Sequence, residues 1–154
     1  MTEIRPADRW IYIGFLALLV WIPLPLGSNR VWAWSLLEVW VYLLVIFWVQ
    51  AFVRQRVCIT PVFRAATPVV LILCLWLLYV FLQTLPFPAD WVAVLSPQAA
   101  YIHSLSPRPQ DWITFSVNPY ATQQGFLKSL AYISCFCLTL LLINSRQRLK
   151  ALSN

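Results

Sequence analysis

The chain has 154 residues, 61% of them hydrophobic and only 10% charged, with a net charge of +6. A soluble domain carries about 25% charged residues, so this composition leaves too little polar surface for a water-soluble globule. The excess of Lys and Arg does not mark a nucleic-acid surface either. The cations stand in short runs between apolar blocks, and no basic stripe interleaves with aromatics.

Four apolar blocks follow one another: Trp10 to Leu26, Val31 to Val53, Pro68 to Leu85 and Phe126 to Ile143. The shortest makes about 26 Å of helix, enough to cross a hydrocarbon core of about 30 Å if its ends snorkel. Backbone in lipid must satisfy its own hydrogen bonds, which favours helices, and the blocks lack the alternation of membrane strands. The expected fold is therefore all-α: one polytopic transmembrane domain over 1–154, with helices at about 10–26, 31–53, 68–85 and 119–143.

The first block lacks the features of a cleaved signal peptide, since its leader is weakly basic and prolines occupy the expected cleavage region. It reads as a retained helix that Pro23 and Pro25 end early, with Gly27-Ser28 turning into the second. Between the third and fourth helices lies an outer loop over 86–118. There Trp91, Val92, Val94 and Leu95 form a short interfacial helix, and SPRP at 106–109 is stiff. Asn118 then suits an N-cap and Pro119 the first position of the fourth helix, which starts above the membrane.

Orientation follows from the loop cations. Arg5, Arg9, Arg54, Arg56, Arg64, Arg146, Arg148 and Lys150 fall on one side, against Arg30 and Arg108 on the other. Both termini are thus expected in the cytoplasm. Trp10 and Trp48 then sit near the inner interface, and Trp21, Trp32, Trp34, Trp91 and Trp112 near the outer one.

Few residues invite chemistry. Glu38 lies about 10 Å inside the second helix from its outer end, where a carboxylate is costly and usually faces a bundle interior or polar cavity. It reads either as a substrate-site or proton-handling group, or as the partner of Lys128, which enters the fourth helix at slightly shallower depth. Gln124, Lys128, Tyr132, Cys135 and Thr139 recur on one face of that helix, and this face either lines a cavity or packs through hydrogen bonds. Cys135 and Cys137 look like a ligand pair but point about 200° apart on a helix, so they read as small buried hydrophobes. His103, the single histidine, has no carboxylate or nucleophile pattern beside it and reads as a loop residue. No glycine-rich phosphate loop, zinc-protease motif, nucleophile elbow or metal-ligand cluster is present, and no metal or cofactor is expected.

Three stretches together resemble the bacterial O-antigen ligase and O-antigen polymerase superfamily of polytopic inner-membrane proteins. They are IPLPLGSNRVWAWSLLEVW at 22–40, LPFPADWVAVLSPQAA at 85–100, and FSVNPYATQQGFLKSLAYISCFCLTLLLINSRQRLKAL at 115–152. Their order is also similar: a G-x-x-R-x-W-x-W run into the second helix, a Leu-Ser-Pro turn in the outer loop, and Ser-x-x-Pro-Tyr-Ala-Thr before the next helix. The resemblance implies glycan transfer from an undecaprenyl-pyrophosphate carrier to a sugar acceptor on the periplasmic face, in lipopolysaccharide and related polysaccharide assembly. Family members are usually far longer, and their large periplasmic loop with its histidine and arginines would come later than Asn154. The chain thus looks like an N-terminal portion, expected to be inactive alone unless a second chain supplies the missing helices. Arg30 matches the family-like motif and would either hold a lipid pyrophosphate or anchor the chain at the interface. With Glu38 and Lys128 it completes the candidate substrate-binding set. The competing class is a non-catalytic scaffold or assembly subunit of a polysaccharide export system.

Overall fold

A computed structural model describes residues 6–23, 31–106 and 111–143. These residues are mostly helical. In chain order they form α1 (Pro6–Trp21), α2 (Val31–Val53), α3 (Pro61–Ala65), α4 (Thr67–Leu82), β1 (Pro86–Pro88), α5 (Ala89–Leu95), α6 (Pro97–Ser104), β2 (Trp112–Thr114) and α7 (Pro119–Leu142). Among the described residues two stretches, Trp32–Val53 and Pro119–Leu142, are long and apolar enough to cross a membrane. α1 and α4 have 16 residues each, about 24 Å of helix. The expected first helix ran to Leu26, but α1 stops at Trp21, just before the proline-rich run. The expected third helix ran to Leu85, but α4 stops at Leu82, where Thr84 and Leu85 bond back three residues in tight turns.

The chain divides into two compact units, one within Met1–Val70 and Ala131–Asn154, the other within Leu71–Leu130. α4 and α7 each continue from one unit into the other.

In the first unit α1 packs along α2. On α2 the buried residues Leu37, Val41, Leu44, Trp48 and Ala51 repeat at spacings of four and three, the stripe expected when one helix face meets a neighbour. Ile11, Phe15 and Leu18 answer from α1, and Ala131, Leu138, Leu141 and Leu142 from α7. The opposite face of α2 is no less apolar, yet Val39, Ile46 and Val53 are more than half exposed. A helix apolar on every side is normally buried in a core or spans a membrane.

α3, absent from the sequence expectation, is fixed by one side chain. Thr60 caps it, accepting from the Phe63 N–H at 3.1 Å, with Pro61 in the first turn. The same hydroxyl donates to the Leu140 carbonyl of α7 at 2.8 Å. That carbonyl belongs to the last turn of α7, where helix carbonyls run out of intrahelical donors. Thr60 is 4% exposed, so water does not replace it readily.

The second unit is built on a feature that an all-α description omits. β1 and β2 pair antiparallel, with Phe87 opposite Ile113. Two prolines leave Phe87 the only backbone donor in β1, which suits a ribbon that is all edge. The ladder continues through the Ala89 N–H to the Asp111 carbonyl at 2.9 Å, and the Ser116 N–H bonds the Gln83 carbonyl at 3.0 Å. Where one short loop helix was expected, two occur, α5 and α6. Val92, Ala99 and Ile113 form their small core, flanked by Phe87 and Phe115, whose rings lie 5.2 Å apart. The start of α7 matches expectation: Asn118 Oδ1 accepts from the Ala121 N–H at 3.1 Å, and Pro119 is the first helical residue.

Thr60→Val keeps the shape but removes both hydrogen bonds, and is expected to destabilise the first unit by about 1–2 kcal/mol. Thr60→Ser should recover most of the loss. Reversible unfolding in detergent measures both.

Candidate functional site

Arg30 lies outside the described residues. Glu38 is half-buried on α2 in the first unit, one turn before Tyr42 and so on the same face. Lys128 is exposed on α7 in the second unit. Neither Glu38 nor Lys128 is without an interaction partner.

The polar face of α7 resolves into separate local arrangements. Gln124 Nε2 donates to the Tyr120 hydroxyl at 2.9 Å, one turn earlier. Thr139 Oγ1 donates to the Cys135 carbonyl at 2.8 Å, again within the helix. Tyr132 instead leans on Trp34 of α2, ring centres 5.3 Å apart at 59°, a favourable tilted aromatic contact. Gln124 and Thr139 are thus satisfied within the helix and Tyr132 makes a ring contact, which suits packing better than a polar channel.

The concentration of hydrogen-bonding groups lies in the second unit. A cleft of about 310 Å³ opens there, lined among others by Asp90 of α5, His103 and Ser104 of α6, Ser106 and Ile113. Its volume is at the lower end for small-ligand sites. His103 Nε2 lies 3.0 Å from the Thr114 carbonyl of β2. A carbonyl only accepts, so that nitrogen carries the proton and Nδ1 is the acceptor of the neutral ring. Ser104 Oγ donates to the Tyr101 carbonyl at 2.7 Å. The ring nitrogen best placed to carry a proton is thus engaged in tying α6 to β2. The cleft offers a carboxylate, an imidazole and two hydroxyls to a polar ligand, but no assembled nucleophile–base pair. Among the described residues, no three His, Cys, Asp or Glu side chains gather to hold a metal.

Asp90, Ser104 and Ser106 did not stand out as site residues in the sequence. α5 and α6 meet across Ser96 alone, and the pairing of β1 with β2 across some twenty residues brings Ile113 beside them. The chain matches no protein-family model, no curated protein and no solved structure.

His103→Ala removes the α6–β2 hydrogen bond and is expected to cost about 1 kcal/mol, loosening the second unit. Limited proteolysis should then cut between Ser104 and Trp112 several-fold faster than in the wild type, with cutting after Arg54 and Arg56 unchanged.

Proposed function

We propose that this chain is a four-span membrane module of a bacterial inner membrane, serving the handling of undecaprenyl-pyrophosphate-linked glycans. In this reading it is an N-terminal portion of an O-antigen ligase-like or polymerase-like protein and does not transfer glycan alone. α1, α2, α4 and α7 cross the bilayer, both termini are cytoplasmic, and the 86–118 loop is periplasmic. The sidedness rests on the loop cations. α1 and α4 are short for a core of about 30 Å, a mismatch that local thinning and snorkelling absorb at modest cost. On α4, Ile72, Leu75, Trp76 and Tyr79 are all exposed and only Leu77 is buried, which suits lipid or further helices around it.

The observation that carries the reading is the unit formed by the two loop stretches behind the family resemblance. LPFPADWVAVLSPQAA supplies β1, α5 and the start of α6, and FSVNPYATQQG leads into α7. Both belong to one compact unit, in which the Ser116 N–H reaches back to the Gln83 carbonyl. Trp91, Val94 and Leu95 fall on one side of α5 and are exposed, a face suited to the headgroup boundary where a lipid carrier's pyrophosphate lies. The exposed flank of α4 favours a second reading, a non-catalytic scaffold that docks further helices of an export system.

A photoactivatable undecaprenyl-pyrophosphate glycan in proteoliposomes separates the two. The handling reading expects capture that excess undecaprenyl pyrophosphate suppresses and undecaprenol does not, with no glycan transferred. No capture above that of a bare lipid probe would leave the scaffold reading.

Topology is checked with single cysteines in a cysteine-free background. Gln98→Cys should react with an impermeant reagent from the periplasm and Ser153→Cys only after permeabilisation. Labelling of position 153 in intact cells would reverse the orientation.

A further inference from the structure

The end of α2 is built in a particular way. The Gln55 N–H bonds the Phe52 carbonyl at 2.9 Å, and the Arg56 N–H bonds the Ala51 carbonyl at 2.8 Å. This bond pair is a Schellman turn. Its left-handed position is held by Gln55, with φ of 55°, where a side chain is disfavoured and glycine is the usual choice. The turn reverses the chain so that Arg54 and Arg56, on either side of Gln55, both reach the wall of one groove.

That groove lies between α1 and α2, within the first unit, and has a volume of about 460 Å³. Apart from the arginines its walls are mainly apolar, with Trp10, Gly14, Leu44 and Phe47 prominent. At Gly14 the two helices approach closely, since a Cβ there would stand 3.0 Å from Leu44 Cδ2. Arg54 and Arg56 are exposed at its end, and among the residues whose side chains are described no carboxylate lines it. Glu38 is sixteen residues away along α2, about 24 Å.

A cation near a helix C-terminus needs no ligand to explain it, since the free carbonyls favour it. Here, however, the turn's own N–H groups already occupy the Ala51 and Phe52 carbonyls. Two guanidinium forks are therefore presented at the end of an apolar groove, a pattern complementary to a phosphate attached to a hydrocarbon chain.

We propose that this groove binds one anionic phospholipid of the cytoplasmic leaflet, its acyl chain lying past Gly14 and Leu44 and its phosphate held by Arg54 and Arg56. The proposal rests on the membrane reading and orientation given above.

The test uses the full chain, purified in non-ionic detergent and stripped of lipid. It is reconstituted into phosphatidylcholine vesicles with and without phosphatidylglycerol, re-extracted gently, and its retained lipids are counted by native mass spectrometry. The wild type should retain one phosphatidylglycerol about tenfold in preference to phosphatidylcholine. R54Q/R56Q should reduce that preference to about twofold or less, and R64Q, at an exposed cation of α3, should leave it intact. R54K/R56K preserves the charge that sets orientation and folding, and should still weaken the preference because the bidentate fork is lost. Equal retention of both lipids by a properly inserted wild type would overturn the lipid site alone. So would an undiminished preference in R54Q/R56Q, or a second polypeptide retained in place of lipid. Failure to insert into either vesicle would overturn the membrane reading along with it.

Discussion

A peptide group placed in hydrocarbon can hydrogen-bond only within its own protein, and each one left unsatisfied costs several kcal/mol. Read as a membrane protein, this chain is organised around that requirement. α2 and α7 are long uninterrupted helices, and the places where their backbone bonding must end are handled individually. Asn118 caps the start of α7, Thr60 takes the Leu140 carbonyl near its finish, and the Schellman turn closes α2. Arg54 and Arg56 stand within that last device, on either side of Gln55.

The same constraint separates the two units by chemistry. The first has a ladder of apolar side chains on α2 answered from α1 and α7, while equally apolar residues on the far side of α2 remain uncovered. In water that uncovered surface would be a strong drive to aggregate, whereas in lipid it costs nothing and only the packed face needs shape. Gly14 fits this view, since association in lipid depends on close approach at small residues. The second unit is held differently. A short ribbon with two prolines, a three-residue core and the His103 bond fix its helices, and Asp90, His103, Ser104 and Ser106 make its cleft polar.

α2 was legible in the sequence because an unbroken apolar run bounded by Arg30 and Arg54 leaves little choice of limits. The start of α7 was legible because Asn-Pro carries its own capping chemistry. The β1–β2 ribbon was not, since Pro-Phe-Pro has no strand alternation and its partner comes some twenty residues later. α6 was hidden for a related reason: QAAYIHS has no marked apolar face and becomes a helix against β2. The turn at Gln55 gave no signal because glycine, its usual marker, is absent. Of the candidate site residues, the places of Glu38 on α2 and Lys128 on α7 could be read from spacing. The cleft around Asp90 and His103 could not, because it depends on tertiary pairing.

The claim underlying this account is that α2 and α7 stand across a bilayer. Polarised infrared dichroism with amide hydrogen exchange, on the full chain in oriented bilayers, tests it directly. The account predicts helix axes inclined by about 20° on average from the membrane normal, with amides from Leu37 to Ala51 and from Ala131 to Leu141 resisting exchange for hours. Helices lying in the membrane plane, with exchange over those residues complete within minutes, would contradict it.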